Sequence, residues 1–169
     1  LEMSGVLRNR THGERLPVVF LHPKDWNGQT VIWVDGGGKA ALYGADGKPH
    51  GEVQTLLKAG ATVVGVDLFQ QGEFLADSKP LTRTGKVGNP REFGGYTFGY
   101  NHTVFARRVH DILTLLAYMQ SNERKSKSIA LLGVSGGGPW VAAARALSGG
   151  AVARAAADTL ASVASSKMR

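Results

Sequence analysis

Compact apolar runs alternate along this chain with stretches whose apolar residues recur every three or four positions. The runs at residues 16–21, 30–35, 62–67 and 128–134 are short, β-branched and nearly continuous, the pattern of strands buried in a sheet. Residues 4–8 form a further strand, expected to pair with 16–21 across a turn at Thr11, His12 and Gly13. Between the runs, residues 51–59 place Val53, Leu56 and Leu57 on one helical face, with Gly60 as the stop. Residues 103–120 predict the clearest helix, its stripe formed by Phe105, Val109, Ile112, Leu116 and Met119. Pro139 suits the first turn of a helix over 139–147, and Gly149 and Gly150 end it. Residues 151–158 read as one more, weaker strand. Alternation of strand and helix predicts an α/β fold: a doubly wound, mostly parallel sheet led by an antiparallel strand pair, with helices on both faces.

One segment lacks this rhythm. Between Asp67 and Thr103 glycines are interleaved with Phe74, Phe93, Tyr96, Phe98 and Tyr100. A long irregular stretch rich in aromatics is either a wall over a substrate pocket, formed by Tyr96, Phe98, Tyr100 and His102, or a loop packed on the sheet edge.

Composition narrows the chemistry. The 169 residues suffice for a single domain with a real core, and 43% of them are hydrophobic and 20% charged. With no cysteine, disulfides, thiol catalysis and cysteine-zinc sites are excluded. The net charge of +7 comes from scattered Lys and Arg, a solvated surface rather than a nucleic-acid footprint. No apolar run reaches membrane-spanning length, and Leu1-Glu2-Met3-Ser4 has neither the basic region nor the apolar stretch of a signal peptide.

The sharpest signal is Gly133-Val134-Ser135-Gly136-Gly137, a G-x-S-x-G set between an apolar run and Pro139. Strand, tight glycine-lined turn and helix form the context of a nucleophile elbow, in which a strained backbone lifts a serine clear of the sheet. Ser135 is then the nucleophile, and the Gly136 N–H, at the start of the next helix, is a donor to a developing oxyanion. The second donor is expected from the loop after the central strand, where Gly36 or Gly37 can approach a substrate carbonyl. A rival reading takes Gly36-Gly37-Gly38-Lys39-Ala40-Ala41, with Asp67 ending the next strand, as a dinucleotide-binding fingerprint. Against it, the turn-forming stretch Tyr43-Gly44-Ala45-Asp46-Gly47 stands where the helix should continue.

The passages Val31-Ile32-Trp33-Val34-Asp35-Gly36-Gly37-Gly38-Lys39, Tyr96-Thr97-Phe98-Gly99-Tyr100-Asn101-His102 and Leu132-Gly133-Val134-Ser135-Gly136-Gly137-Gly138-Pro139-Trp140 resemble the α/β-hydrolase superfamily, and more narrowly the bacterial acetyl xylan esterase-like hydrolases. The resemblance implies hydrolysis of a short-acyl ester through an acyl-enzyme, a small ester or acetylated carbohydrate as substrate, and no cofactor. It also implies a triad running Ser, acid, His, and here the chain departs: His12, His22, His50, His102 and His110 all precede Ser135, and no histidine follows it. Asp35 stands where an H-G-G-G motif carries histidine. The expectation is a single hydrolase core truncated after its sixth strand, inactive alone for want of the histidine, with Asp158 a candidate acid; the competing explanation is an unusual base within the chain, for which His102 is the candidate. Peptidase or lipase chemistry on the same fold, and a non-catalytic ligand- or partner-binding domain, are the alternatives.

Overall fold

A computed structural model describes residues 1–77, 79, 99, 101–121 and 125–158. Its strands are β1 (Glu2–Asn9), β2 (Glu14–Leu21), β3 (Gln29–Asp35), β4 (Thr62–Val66), β5 (Ser128–Val134) and β6 (Arg154–Ala157). Its helices are α1 (Gly51–Lys58), α2 (Val104–Ser121) and α3 (Gly138–Leu147), with short 3-10 turns at Lys39–Leu42 and Gly72–Phe74.

The strands form one sheet in the order β1-β2-β4-β3-β5-β6. β1 pairs antiparallel with β2, and β2 with β4; β4, β3, β5 and β6 run parallel. The β1–β2 hairpin turns at Thr11–Gly13, as the sequence predicts. The last strand is shorter than the 151–158 run, and all four of its residues are exposed.

The inner strands β2, β4, β3 and β5 send side chains to both faces of the sheet. On one face Ile32, Val34, Val64, Val66 and Leu131 pack with Val109, Ile112, Leu115 and Leu116 of α2 and Val141 and Ala144 of α3. On the other, Val19, Leu21 and Val63 pack with Val53 of α1 and with Leu42. The core stripe of α2 differs from expectation at one end. Phe105, on the first turn, is 45% exposed, whereas the polar Arg108 and Asp111 are buried. They face inward because backbone groups of the loop after β4 satisfy them there.

Strand order fixes where a site can form. From β3 the chain crosses to β4 on one side and, later, to β5 on the other. The carboxyl ends of β3 and β5 thus flank a topological switch point, where open α/β sheets bind ligands. Asp35–Gly38 leaves β3 there, and Ser135 leaves β5.

Candidate active site

Ser135 has φ 49°, one of two non-glycine residues with positive φ among those described. That conformation costs a non-glycine residue on the order of 1–3 kcal/mol and persists only where its surroundings enforce it. The enforcement is visible on both sides. A Cβ on Gly133 would lie 2.8 Å from the Gly138 Cα and 2.9 Å from the Gly137 carbonyl carbon, and one on Gly137 would strike the Val34 carbonyl. The Gly137 N–H donates to the Val134 carbonyl at 2.7 Å, closing the turn, and α3 begins one residue later with Pro139 in its first turn. Ser135 and Gly136 are both exposed. Gly136, at φ 92°, sits just ahead of α3, whose amino end favours negative charge.

The glycine loop after β3 faces this turn. Gly36 abuts the Ser135 carbonyl so closely that no Cβ fits. The Gly37 N–H, one candidate oxyanion donor, is engaged: it donates to Asp35 Oδ1 at 2.7 Å, while the Gly38 N–H donates to the Asp35 carbonyl at 3.1 Å. Asp35 therefore folds the loop onto itself as a local side-chain turn.

Two buried side chains hold the loop from behind. Asp67 Oδ1 accepts the Lys39 N–H at 2.8 Å, and Asp67 Oδ2 accepts both the Lys39 ammonium at 2.6 Å and the Glu73 N–H at 3.1 Å. Burial pulls the Lys39 ammonium down, but the hydrogen bonds to Asp67 and Glu73 outweigh it and hold the group above its ordinary value. Gln71, fully buried, donates its side-chain amide to the carbonyls of Gly36 at 2.8 Å and Asp35 at 3.2 Å, and accepts the Leu68 N–H at 3.1 Å. This arrangement removes the feature a dinucleotide fingerprint requires. The Asp67 carboxylate is 1% exposed and fully engaged, and the glycines lead into a four-residue 3-10 turn.

A further layer anchors the loop after β4 to α2. Asp111 Oδ2 accepts the Phe69 N–H at 2.6 Å, and Arg108 donates to the carbonyls of Phe69 at 2.9 Å and Gln70 at 3.2 Å. The Arg108 guanidinium also lies 4.5 Å from the ring centroid of Trp140 on α3. Burial, first, raises the Asp111 carboxyl to about 7, opposed by the Phe69 hydrogen bond. Burial lowers the Arg108 guanidinium, against the attraction of Asp111. A chain of contacts thus runs from α2 through residues 69–71 to the glycine loop and on to Ser135.

The remaining sequence candidates fall in different places. Asp158 follows β6 directly, and its N–H donates to the Gly133 carbonyl at 2.7 Å, beside the elbow strand. His102 is exposed and lines a cavity with His12 and His110, not with Ser135. The helix-capping bond at its position is made by Thr103, whose hydroxyl accepts the Ala106 N–H at 3.0 Å. His110 Nδ1 lies 2.8 Å from Glu14 Oε1. Among the described residues no histidine hydrogen-bonds Ser135. Tyr96, Phe98 and Tyr100 lie outside the described residues. Gln71, Arg108 and Asp111 are positions that pattern reasoning missed; two polar residues at i and i+3 inside an apolar helix stripe were the available signal.

No family model matches the chain, and no curated protein sequence does. Solved structures do match. An α/β hydrolase from Penicillium superposes with TM-score 0.63 at 17% identity, covering 92% of this chain and 44% of that one. An esterase from Pyrococcus furiosus gives 0.61 at 18%, covering 94% and 51%. A thermostable carboxyl esterase from Bacillus coagulans gives 0.59 at 12%, covering 91% and 43%. The chain has the α/β-hydrolase fold. It spans about half the length of the chains it matches, from 43% to 51% in these three.

Proposed function

We propose that this chain carries the nucleophile half of a serine hydrolase that cleaves carboxylic esters, with Ser135 attacking the carbonyl carbon. The observation that carries the reading is the positive φ of Ser135 inside a turn whose glycines leave no room for side chains. Such strain is retained where it exposes a reactive hydroxyl over a helix amino end. As the tetrahedral intermediate forms, its oxyanion takes the Gly136 N–H and a second donor from the glycine loop. Gly36 is better placed than Gly37 for that task, because the Gly37 N–H already serves Asp35.

The serine proton needs a base, and a histidine from outside these 169 residues is proposed to take it and return it to the leaving alcohol. Asp158, next to the elbow strand, is the proposed acid that orients this histidine. Short-acyl esters, including acetylated carbohydrates, are the proposed substrates, consistent with esterases among the structural neighbours. The test is hydrolysis of a chromogenic acetate ester by this chain and by a form continued past Arg169. We expect the first to be inert and the second active, with Ser135→Ala abolishing turnover. An inert continued form that also resists a serine-reactive phosphonate would overturn the proposal.

A further inference from the structure

The hairpin turn of β1–β2 and the first turns of α2 enclose an open cavity of about 450 Å³ that includes no residue of the elbow or the glycine loop. Its lining is His12, Glu14, His102, Ala106, Arg107 and His110. This is a concentration of cationic and protonatable groups: three of the five histidines of the chain, with one arginine.

Among the described residues the one carboxylate of the lining, Glu14, already has partners. Glu14 Oε2 accepts the Asn9 side-chain amide at 3.0 Å and the Thr114 hydroxyl at 3.2 Å, and Oε1 lies 2.8 Å from His110 Nδ1. The His12 ring meets the His110 ring edge-on, with centroids 5.1 Å apart. Arg107 is held in place by its stacking over Phe69, 4.9 Å from the ring centroid. Asp111, the other acidic group on this part of α2, is buried and turned inward to the Phe69 N–H. An anion seated among the Arg107 guanidinium and the imidazole N–H groups of this lining gains charge-assisted hydrogen bonds.

We propose that this cavity binds an oxyanion, the phosphate or carboxylate group of a small molecule, at a site separate from Ser135. Arg107 supplies the permanent charge and the planar donor fork. His12, His102 and His110 add ring N–H donors. The site does not depend on Ser135 being a nucleophile.

The test is a titration of the 169-residue chain with inorganic phosphate, and separately with succinate, at about pH 6. The readout is the carbon-bound ring protons of the histidines by NMR. We expect saturable shifts at His12, His102 and His110. His22, which sits 3.1 Å from the Thr62 hydroxyl, and His50, at the start of α1, should stay still. Arg107→Gln, at an exposed position, should weaken binding roughly tenfold or more, and His102→Gln should weaken it as well. Ser135→Ala should leave it unchanged. Tighter binding of phosphate or of succinate tells which group the site prefers. Failure to saturate at millimolar anion, equal movement of His22 and His50, or unchanged affinity in both Arg107→Gln and His102→Gln would overturn the inference.

Discussion

Gly36 packs against the backbone carbonyl of Ser135 with no space for a side chain between them. The two residues come from β3 and β5, neighbours across the switch point of the sheet. A Cβ at position 36 must push the loop and the elbow apart. We expect Gly36→Ala to lower stability by about 1–3 kcal/mol. In an active form it should reduce kcat far more than KM if, as proposed, the loop donates to the oxyanion of the transition state. Thermal melting and steady-state kinetics check both.

Strain at Ser135 has its own signature. Glycine tolerates positive φ, so Ser135→Gly should raise stability by about 1 kcal/mol, while Ser135→Ala, which retains a Cβ, should stay within about 0.5 kcal/mol of the parent. For a chain of this size the first change raises Tm by about 2–4 °C. A Ser135→Gly variant that gains stability separates an enforced serine from an ordinary loop residue.

The buried anchor of the glycine loop is testable by breaking one side of it. In Lys39→Met the Asp67 carboxylate, 1% exposed, keeps only its two backbone N–H partners. Leaving a buried charge without its counterion is expected to cost about 3 kcal/mol. The double change Lys39→Met with Asp67→Asn should recover part of that loss. Urea denaturation of the parent and the two variants measures it.

Asp111 makes stability depend on pH. Its folded value of about 7 lies above the unfolded carboxylate value, so the folded chain binds the extra proton between these limits. Its contribution is therefore fully present below about pH 4 and is lost as pH rises through 7. Asn keeps an acceptor for the Phe69 N–H without the charge. We expect Asp111→Asn to be more stable than the parent by about 1–3 kcal/mol at pH 8 and to lose that advantage near pH 4. Melting temperatures across this range give the slope.

The strands and helices were legible because continuous β-branched runs and a 3.6-residue stripe are local patterns, and the elbow because its glycines answer a local steric demand. What supports the elbow was not legible. Gln71, Lys39 and Asp67 meet the glycine loop across strands that are distant in sequence. Arg108 and Asp111 are buried against backbone groups of residues 69 and 70, and sequence alone does not say which loop a helix will face. Phe105 shows the same limit from the other side: it has the angular position of a core residue, but it stands on a first turn where the described core does not reach. His102, a candidate beside the aromatic segment, instead joins His12 and His110, because the hairpin turn and the start of α2 meet in space.

The most direct test of the central claim is reaction with a serine-specific fluorophosphonate, read by intact mass and peptide mapping, on the protein continued past Arg169. We expect a single adduct on the peptide carrying Ser135 and none in Ser135→Ala. An unmodified protein, or an adduct that persists in Ser135→Ala, would contradict the assignment of Ser135 as the nucleophile.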